Sequence, residues 1–69
     1  MNNPKADAAL YLITGLLQRI ENQEPGTIQE MINGVESDRD SLPENLENRA
    51  HVEAIFDETL KLLVRADNV

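Results

Sequence analysis

Hydrophobic residues recur along this chain at intervals of three and four positions, which is the spacing of one face of an α-helix. Alternation with a period of two, typical of a half-buried β-strand, extends over only a few residues at a time. The helical pattern occurs in three stretches that are separated by two segments of turn-forming residues. We therefore expect one all-α domain over residues 1–69, folded as a three-helix hairpin or bundle with two long helices and one short helix.

The first stretch predicts a helix from about Pro4 to about Asn22. The side chain of Asn3 can cap this helix, and proline is tolerated at the first helical position because its missing N–H would have no partner there. At about 100° per residue, the apolar side chains span an arc of about 160°. They are Ala6, Ala9, Leu10, Leu12, Ile13, Leu16, Leu17 and Ile20. An arc this wide predicts contact with more than one neighbour.

The second stretch follows a break at residues 24–26, where proline disfavours helical geometry in the residue before it and glycine permits a turn. Thr27 and Glu30 have the spacing of a capping box, which predicts that a helix begins with Thr27 as its N-cap. The apolar residues that follow at helical spacing are Ile28, Met31, Ile32 and Val35. We expect a helix of about ten residues with one buried face.

The third stretch begins with a second capping-box spacing, Ser41 with Glu44, and should continue to about Ala66. Its main apolar stripe consists of Val52, Ile55, Phe56, Thr59, Leu63 and Ala66. Leu60, Leu62 and Val64 lie on both flanks of that stripe, so the last turns are apolar nearly all round. This distribution indicates that the end of the helix is covered on more than one side.

The small size of the chain favours self-association. A fold of this length buries only about 60% of the surface of its unfolded chain, and there is no cysteine to form a disulfide or a zinc–thiolate site. We expect a homodimer in which the first and third helices form a larger helical bundle. The candidate partner-binding residues are Tyr11, Leu12, Leu60, Leu62 and Val64. A compact monomer, with the short helix covering the hairpin of the two long ones, is the alternative.

Residues 36–47, ESDRDSLPENLE, carry five acids and suggest a calcium loop. Counting from Glu36, the ligand positions of such a loop fall on the acids at 36, 38, 40, 44 and 47 and on the carbonyl of Leu42. However, Ser41 occupies the position that needs glycine, the first ligand is the longer Glu, and Pro43 lacks an N–H. A capped, solvated turn explains the same residues, so we predict no metal site and no cofactor, and we rank a degenerate divalent-metal helix–loop–helix third among the functions.

Catalytic residues are not predicted. His51 is the only histidine, and the expected partner of its side chain is Glu47, one helical turn earlier. A single imidazole, without cysteine or a glycine-rich phosphate loop, does not make a triad or a phosphate site. The sequence therefore does not predict an enzyme.

The net charge of −7, from six basic and thirteen acidic residues, argues against direct binding to nucleic acid or to an anionic membrane. No segment approaches the about 20 apolar residues that would span a bilayer, so we expect a cytoplasmic protein. The predicted function is a small acidic, non-catalytic protein–protein interaction or regulatory module that binds itself and an unidentified protein.

The alternative function is an acidic nucleic-acid mimic that inhibits a DNA- or RNA-binding protein. Eight acids lie between Glu36 and Glu58, against two basic residues, Arg39 and Arg49. A mimic of this kind would bind a basic partner with steep salt dependence.

Overall fold

The computed structural model describes residues 3–68, and within that range the secondary structure consists of three α-helices and no strand. Helix α1 spans Pro4–Gln23, α2 spans Thr27–Asp40 and α3 spans Arg49–Asp67. The helices pack against one another. The predicted all-α fold with two long helices and a shorter one is confirmed.

The beginning of α1 is capped as predicted. The side-chain oxygen of Asn3 accepts a hydrogen bond from the N–H of Ala6 at 3.2 Å, and Pro4 occupies the first turn. The helix ends one residue later than expected, where the N–H of Glu24 donates to the carbonyl of Ile20 at 2.9 Å.

The beginning of α2 differs from the prediction, because Gly26 and not Thr27 is the N-cap. The hydroxyl of Thr27 donates to the carbonyl of Glu24 at 2.7 Å, and α2 lacks the cap hydrogen bond to a side-chain hydroxyl that a capping box requires. Gly26 has a φ of 97°, in the left-handed region that favours glycine.

The first N–H groups of α2 are instead bound by the carboxylate of Glu21, near the end of α1. Its two oxygens accept hydrogen bonds from the N–H of Gly26 at 2.7 Å and from the N–H of Ile28 at 2.9 Å. A carboxylate binds N–H groups more strongly than a hydroxyl does, and its charge lies at the positive end of the α2 dipole. The spacing within residues 27–30 could not reveal this contact, because the acceptor belongs to the other helix.

The predicted start of α3 at Ser41 is also wrong. Ser41 is the C-cap of α2, which continues to Asp40 and is longer than the expected ten residues. The hydroxyl of Ser41 donates to the carbonyl of Ser37 at 2.9 Å, and its N–H also bonds to carbonyls of the last turn of α2. These bonds commit Ser41 to the preceding helix, so it cannot pair with Glu44.

A loop of turns over residues 41–48 separates α2 from α3, whose N-cap is Asn48. The guanidinium of Arg49 donates to the carbonyl of Pro43 at 2.7 Å and to that of Leu42 at 3.4 Å. The same side chain forms an ion pair with Glu53 at 3.4 Å. The first residue of α3 therefore holds the loop that precedes it.

The core lies where the second half of α1, the beginning of α2 and the end of α3 meet. Its buried side chains are Leu17, Ile28, Ile32, Leu63 and Ala66. Val35 and Leu60 pack against them. The beginning of α2 thus meets the end of α3, whereas Arg39 near the end of α2 approaches Asp57 in the middle of α3 at 3.8 Å. Helix α2 therefore lies antiparallel to the second half of α3. Ile28 is the most completely buried of these side chains.

The described chain is less compact than a globular monomer of its mass. Its Cα atoms extend over 39 × 32 × 13 Å, with a radius of gyration of 13.7 Å, against about 11 Å expected for this length. The accessible surface is 5514 Å², about 1,200 Å² more than the roughly 4,300 Å² expected for a compact monomer. Part of this additional surface lies on α1, where Leu12, Ile13 and Leu16 are exposed.

The Glu21 cap can be tested by the substitution Glu21→Gln. The amide retains one oxygen acceptor, so one of the two N–H groups at 2.7 and 2.9 Å loses its partner. We expect the melting temperature, measured by circular dichroism, to fall by several degrees. Glu24→Gln is the matched control, because the side chain of Glu24 is exposed and makes no hydrogen bond within residues 3–68. Equal melting temperatures for the two variants would contradict the cap.

The same cap predicts a dependence of stability on pH. The hydrogen bond from Gly26, with the one from Ile28, lowers the pKa of the Glu21 carboxyl below its ordinary value of 4.5. The ionised carboxylate therefore stabilises the fold fully above pH 4.5, and this stabilisation is lost as the pH falls through the lowered pKa of the folded state. The difference in melting temperature between wild type and Glu21→Gln should be largest at neutral pH and shrink in acid. A difference that is constant with pH would show that the charge is not involved.

Candidate functional site

The most prominent surface feature is a row of exposed apolar side chains on α1. Leu12 is 68% exposed, Leu16 58% and Ile13 45%. We call this row the α1 face. It consists of Ala6, Ala9, Leu12, Ile13, Leu16 and Ile20, and all of them are exposed except the half-buried Ile20.

The α1 face is exposed because the core uses only one edge of the apolar arc. Leu17 is the only buried side chain of α1, and it points, with Glu21 one turn later, toward α2 and α3. At about 100° per residue, Leu16 lies a quarter turn or more away from Leu17 on the outer side of the helix. The arc is therefore divided between a core edge and an outer surface.

Exposure is also unequal along the length of α1. Every residue from 3 to 13 is exposed, whereas most residues from 14 to 21 are half-buried or buried. We call residues 3–13 the free arm. It continues from the part of α1 that is anchored in the core, and its residue Leu10 lies beside Ile55 and Leu62 of α3.

The charge of α1 is balanced, unlike that of the whole chain. Lys5 and Arg19 offset Asp7 and Glu21, while the chain carries −7. Within residues 3–68, none of the helices combines the length and the hydropathy needed to cross a membrane. The α1 face is therefore an apolar surface on a charge-balanced helix.

Two of the predicted partner-binding residues lie on α1, and both are exposed. Tyr11 is 81% exposed and Leu12 is 68% exposed. Together with Gly15, Leu16, Arg19 and Arg65, they border a depression of about 630 Å³. Tyr11 lies toward the side of α1 opposite Ile13 and Leu16, so only Leu12 belongs to the α1 face.

The three predicted residues on α3 do not form one surface. Leu60 is half-buried and packs against the core, so its contacts lie within the chain. Leu62 is half-buried and lines a groove between α1 and α3, whereas Val64 is 46% exposed outside that groove. Ile13 and Leu16 were missing from the predicted site, although their spacing within the apolar arc could have indicated them.

The groove between α1 and α3 has a volume of about 460 Å³. Leu10, Ile55 and Leu62 supply apolar wall, and His51 lies exposed at its edge. Its other polar residues are Glu58, Thr59, Lys61 and Arg65.

The polar residues of the groove include one ion pair. The carboxylate of Glu58 accepts a hydrogen bond from Lys61 at 2.9 Å and raises the pKa of that lysine, as in an ordinary surface ion pair. Within residues 3–68 no charged or polar side chain is buried, whereas catalytic groups are commonly activated by burial. The polar groups that line the groove therefore all remain accessible to water.

The acidic segment does not have the geometry of a calcium loop. Residues 36–40, which would supply the first three ligands, belong to the last turns of α2. In a helix the side chain of Asp38 points away from those of Glu36 and Asp40, so the three cannot converge on one ion, and only the segment from 41 onward is a loop. Among the residues that the structure describes, no cluster of three or more His, Cys, Asp or Glu side chains could hold a metal ion.

This geometry predicts that calcium does not bind. We expect millimolar calcium, magnesium or a chelator to leave the melting temperature unchanged, because a ligand stabilises a protein only by binding its folded state. Titration calorimetry with calcium should give no heat beyond dilution. A saturable heat together with a higher melting temperature would require the end of α2 to unwind into a loop.

Comparisons with protein-family models, with curated proteins and with solved structures find no match to this chain. No relative therefore supplies a residue role that could be transferred to the α1 face. The role of this face has to be inferred from its exposure, its charge and the spacing of its side chains.

Proposed function

We propose that the protein is a small acidic, non-catalytic interaction or regulatory module that works as a homodimer and binds a further protein. The observation that carries the proposal is the exposed α1 face, with Leu12 and Leu16 more than half exposed. Large side chains in a contiguous exposed row are typical of surfaces that a partner covers. The proposal includes a cytoplasmic location.

The amount of surplus surface supports a second copy as the partner. One chain exposes about 1,200 Å² more than a compact monomer of 7.7 kDa. Each partner in a standard stable interface loses about 800 Å². A symmetric contact through the α1 face would therefore bring each chain close to the surface of an ordinary globular protein.

The spacing of the α1 face supports helix-to-helix packing. Its residues Ala6, Ala9, Ile13, Leu16 and Ile20 follow one another at alternating steps of three and four. This is the spacing of a coiled-coil seam, in which side chains of one helix fit between those of another. Leu12 flanks the seam and would extend the contact.

The charge distribution also favours contact through α1. Two copies that each carry −7 repel one another. The repulsion is smallest where the facing surfaces are neutral, and the charges of α1 cancel. Most of the acids lie in residues 36–58, outside the proposed contact.

The substitution Leu16→Glu tests the proposal. Leu16 is 58% exposed in one copy, so a charge there should not disturb the fold of that copy, but it would be buried in the dimer. We expect the dimer to weaken by more than about tenfold. In sedimentation at micromolar concentration, the wild type should run at twice 7.7 kDa and the variant at 7.7 kDa.

Asn22→Glu is the matched control for Leu16→Glu. It adds the same charge to the same helix at an exposed residue, about 150° around the helix from the middle of the α1 face. The dimer should survive this change. A wild-type protein that sediments only as a monomer, or two variants that behave alike, would contradict the proposal.

An acidic nucleic-acid mimic is the second candidate function. The two basic residues within the acidic segment are occupied inside the chain: Arg39 forms ion pairs with Asp40 at 3.5 Å and Asp57 at 3.8 Å, and Arg49 holds the 41–48 loop. The acids at 36, 38, 40, 44 and 47 are all exposed. This segment therefore presents a nearly uniform negative surface.

Competition with duplex DNA for a basic DNA-binding domain tests the second candidate. Mimicry predicts that the protein displaces the DNA at low salt and that its binding falls steeply as salt increases. Asp38→Lys should weaken the competition, whereas Lys5→Gln, which removes a charge from α1, should not. Binding that does not change with salt would exclude mimicry.

A further inference from the structure

We propose that the two copies of α1 pair antiparallel, about a twofold axis that passes between Ile13 and Leu16. The inference rests on the homodimer proposed above and specifies its geometry. The free arm of each chain then lies along the anchored half of the partner's α1. Both orientations of a symmetric helix pair are available to a homodimer, so the choice between them depends on the side chains and on what surrounds each half of α1.

The sizes of the side chains change along the α1 face. Its first two seam positions are Ala6 and Ala9, whereas the later ones are Ile13, Leu16 and Ile20. In a parallel pair, alanine would face alanine at one end, and isoleucine and leucine would face their own copies at the other. The two helices could not then stay in close contact over the whole seam, because well-packed interfaces place small side chains against large ones.

An antiparallel pair matches small residues with large ones. With the axis between Ile13 and Leu16, Ala9 lies level with the partner's Ile20, and Ile13 lies level with the partner's Leu16. At the ends, Ala6 lies level with the partner's Gln23, which is also exposed. The total side-chain volume then varies less from level to level than in a parallel pair, so the two helices can stay in contact along the whole seam.

The free arm gives an independent reason for the same orientation. Residues 3–13 are exposed throughout, whereas the anchored half of α1 is packed against α2 and α3. In a parallel pair each free arm would pack only against the partner's free arm, through Ala6, Ala9 and Ile13. In an antiparallel pair each arm lies beside the partner's anchored half. The dipoles of the two helices also oppose one another in this arrangement, which is favourable.

Cysteine cross-linking of the full chain distinguishes the two orientations, because the natural sequence has no cysteine. Ala6→Cys and Gln23→Cys place thiols on exposed residues at opposite ends of α1. The two positions are about 25 Å apart along the helix axis, which is beyond the reach of a short bis-maleimide. Leu16→Cys serves as the control for the dimer itself, since its thiols are near one another in either orientation.

We expect the mixture of Ala6→Cys and Gln23→Cys to give a mixed cross-linked dimer, identified by mass spectrometry, and each variant alone to give little. Self-cross-linking of Ala6→Cys with no product from the mixture would show a parallel pair and overturn the inference. If Leu16→Cys cross-links but the mixture does not, the antiparallel arrangement is wrong while the proposed homodimer stands. If Leu16→Cys also fails and the wild type sediments as a monomer, both proposals fail.

Discussion

The carboxylate of Glu21 joins the end of α1 to the beginning of α2, and the position of the other helices follows from this junction. Its two oxygens bind the N–H groups of Gly26 and Ile28, and the left-handed backbone of Gly26 makes the turn between the helices tight enough for both bonds. Ile28 is thereby brought next to Leu17 and becomes the most completely buried residue. The end of α3 completes the core with Leu63 and Ala66.

A core built at this junction is necessarily small. It uses one edge of α1 near Leu17 and leaves the rest of the apolar arc, including Leu12 and Leu16, in contact with water. Apolar surface contributes to stability only when it is removed from water, at roughly 25 cal/mol per Å². The chain therefore has more to gain from a partner on α1 than from any rearrangement confined to its own five buried residues. The contrast between the buried edge of α1 and its exposed apolar face underlies both the proposed homodimer and its proposed antiparallel arrangement.

Charge and apolar surface are separated in the fold. The acids of residues 36–58 lie at the end of α2, in the 41–48 loop and in the first half of α3. Arg39 and Arg49 are used to fasten this region together, through Asp57 and through the carbonyls of Leu42 and Pro43. The acidic region therefore stays solvated and keeps a net negative charge, while the charge-balanced α1 is available for apolar contact.

The number and type of the helices, the Asn3 cap and the wide apolar arc of α1 were predictable from the sequence, because they depend on residues within one or two turns of each other. The N-cap of α2, the end of α2 and the beginning of α3 were not. Thr27 and Ser41 have the right spacing for capping boxes, but Glu21 captures the free N–H groups of α2, and Ser41 bonds backward to Ser37. The choice among apolar residues also needed the tertiary structure: Leu60 packs against the core, whereas Ile13 and Leu16 remain outside. The sequence by itself determined which residues are able to cap or to be buried. Which of these residues actually cap a helix or are buried was decided by the tertiary structure, because different helices compete for the same hydrogen-bond partners and for the same small core.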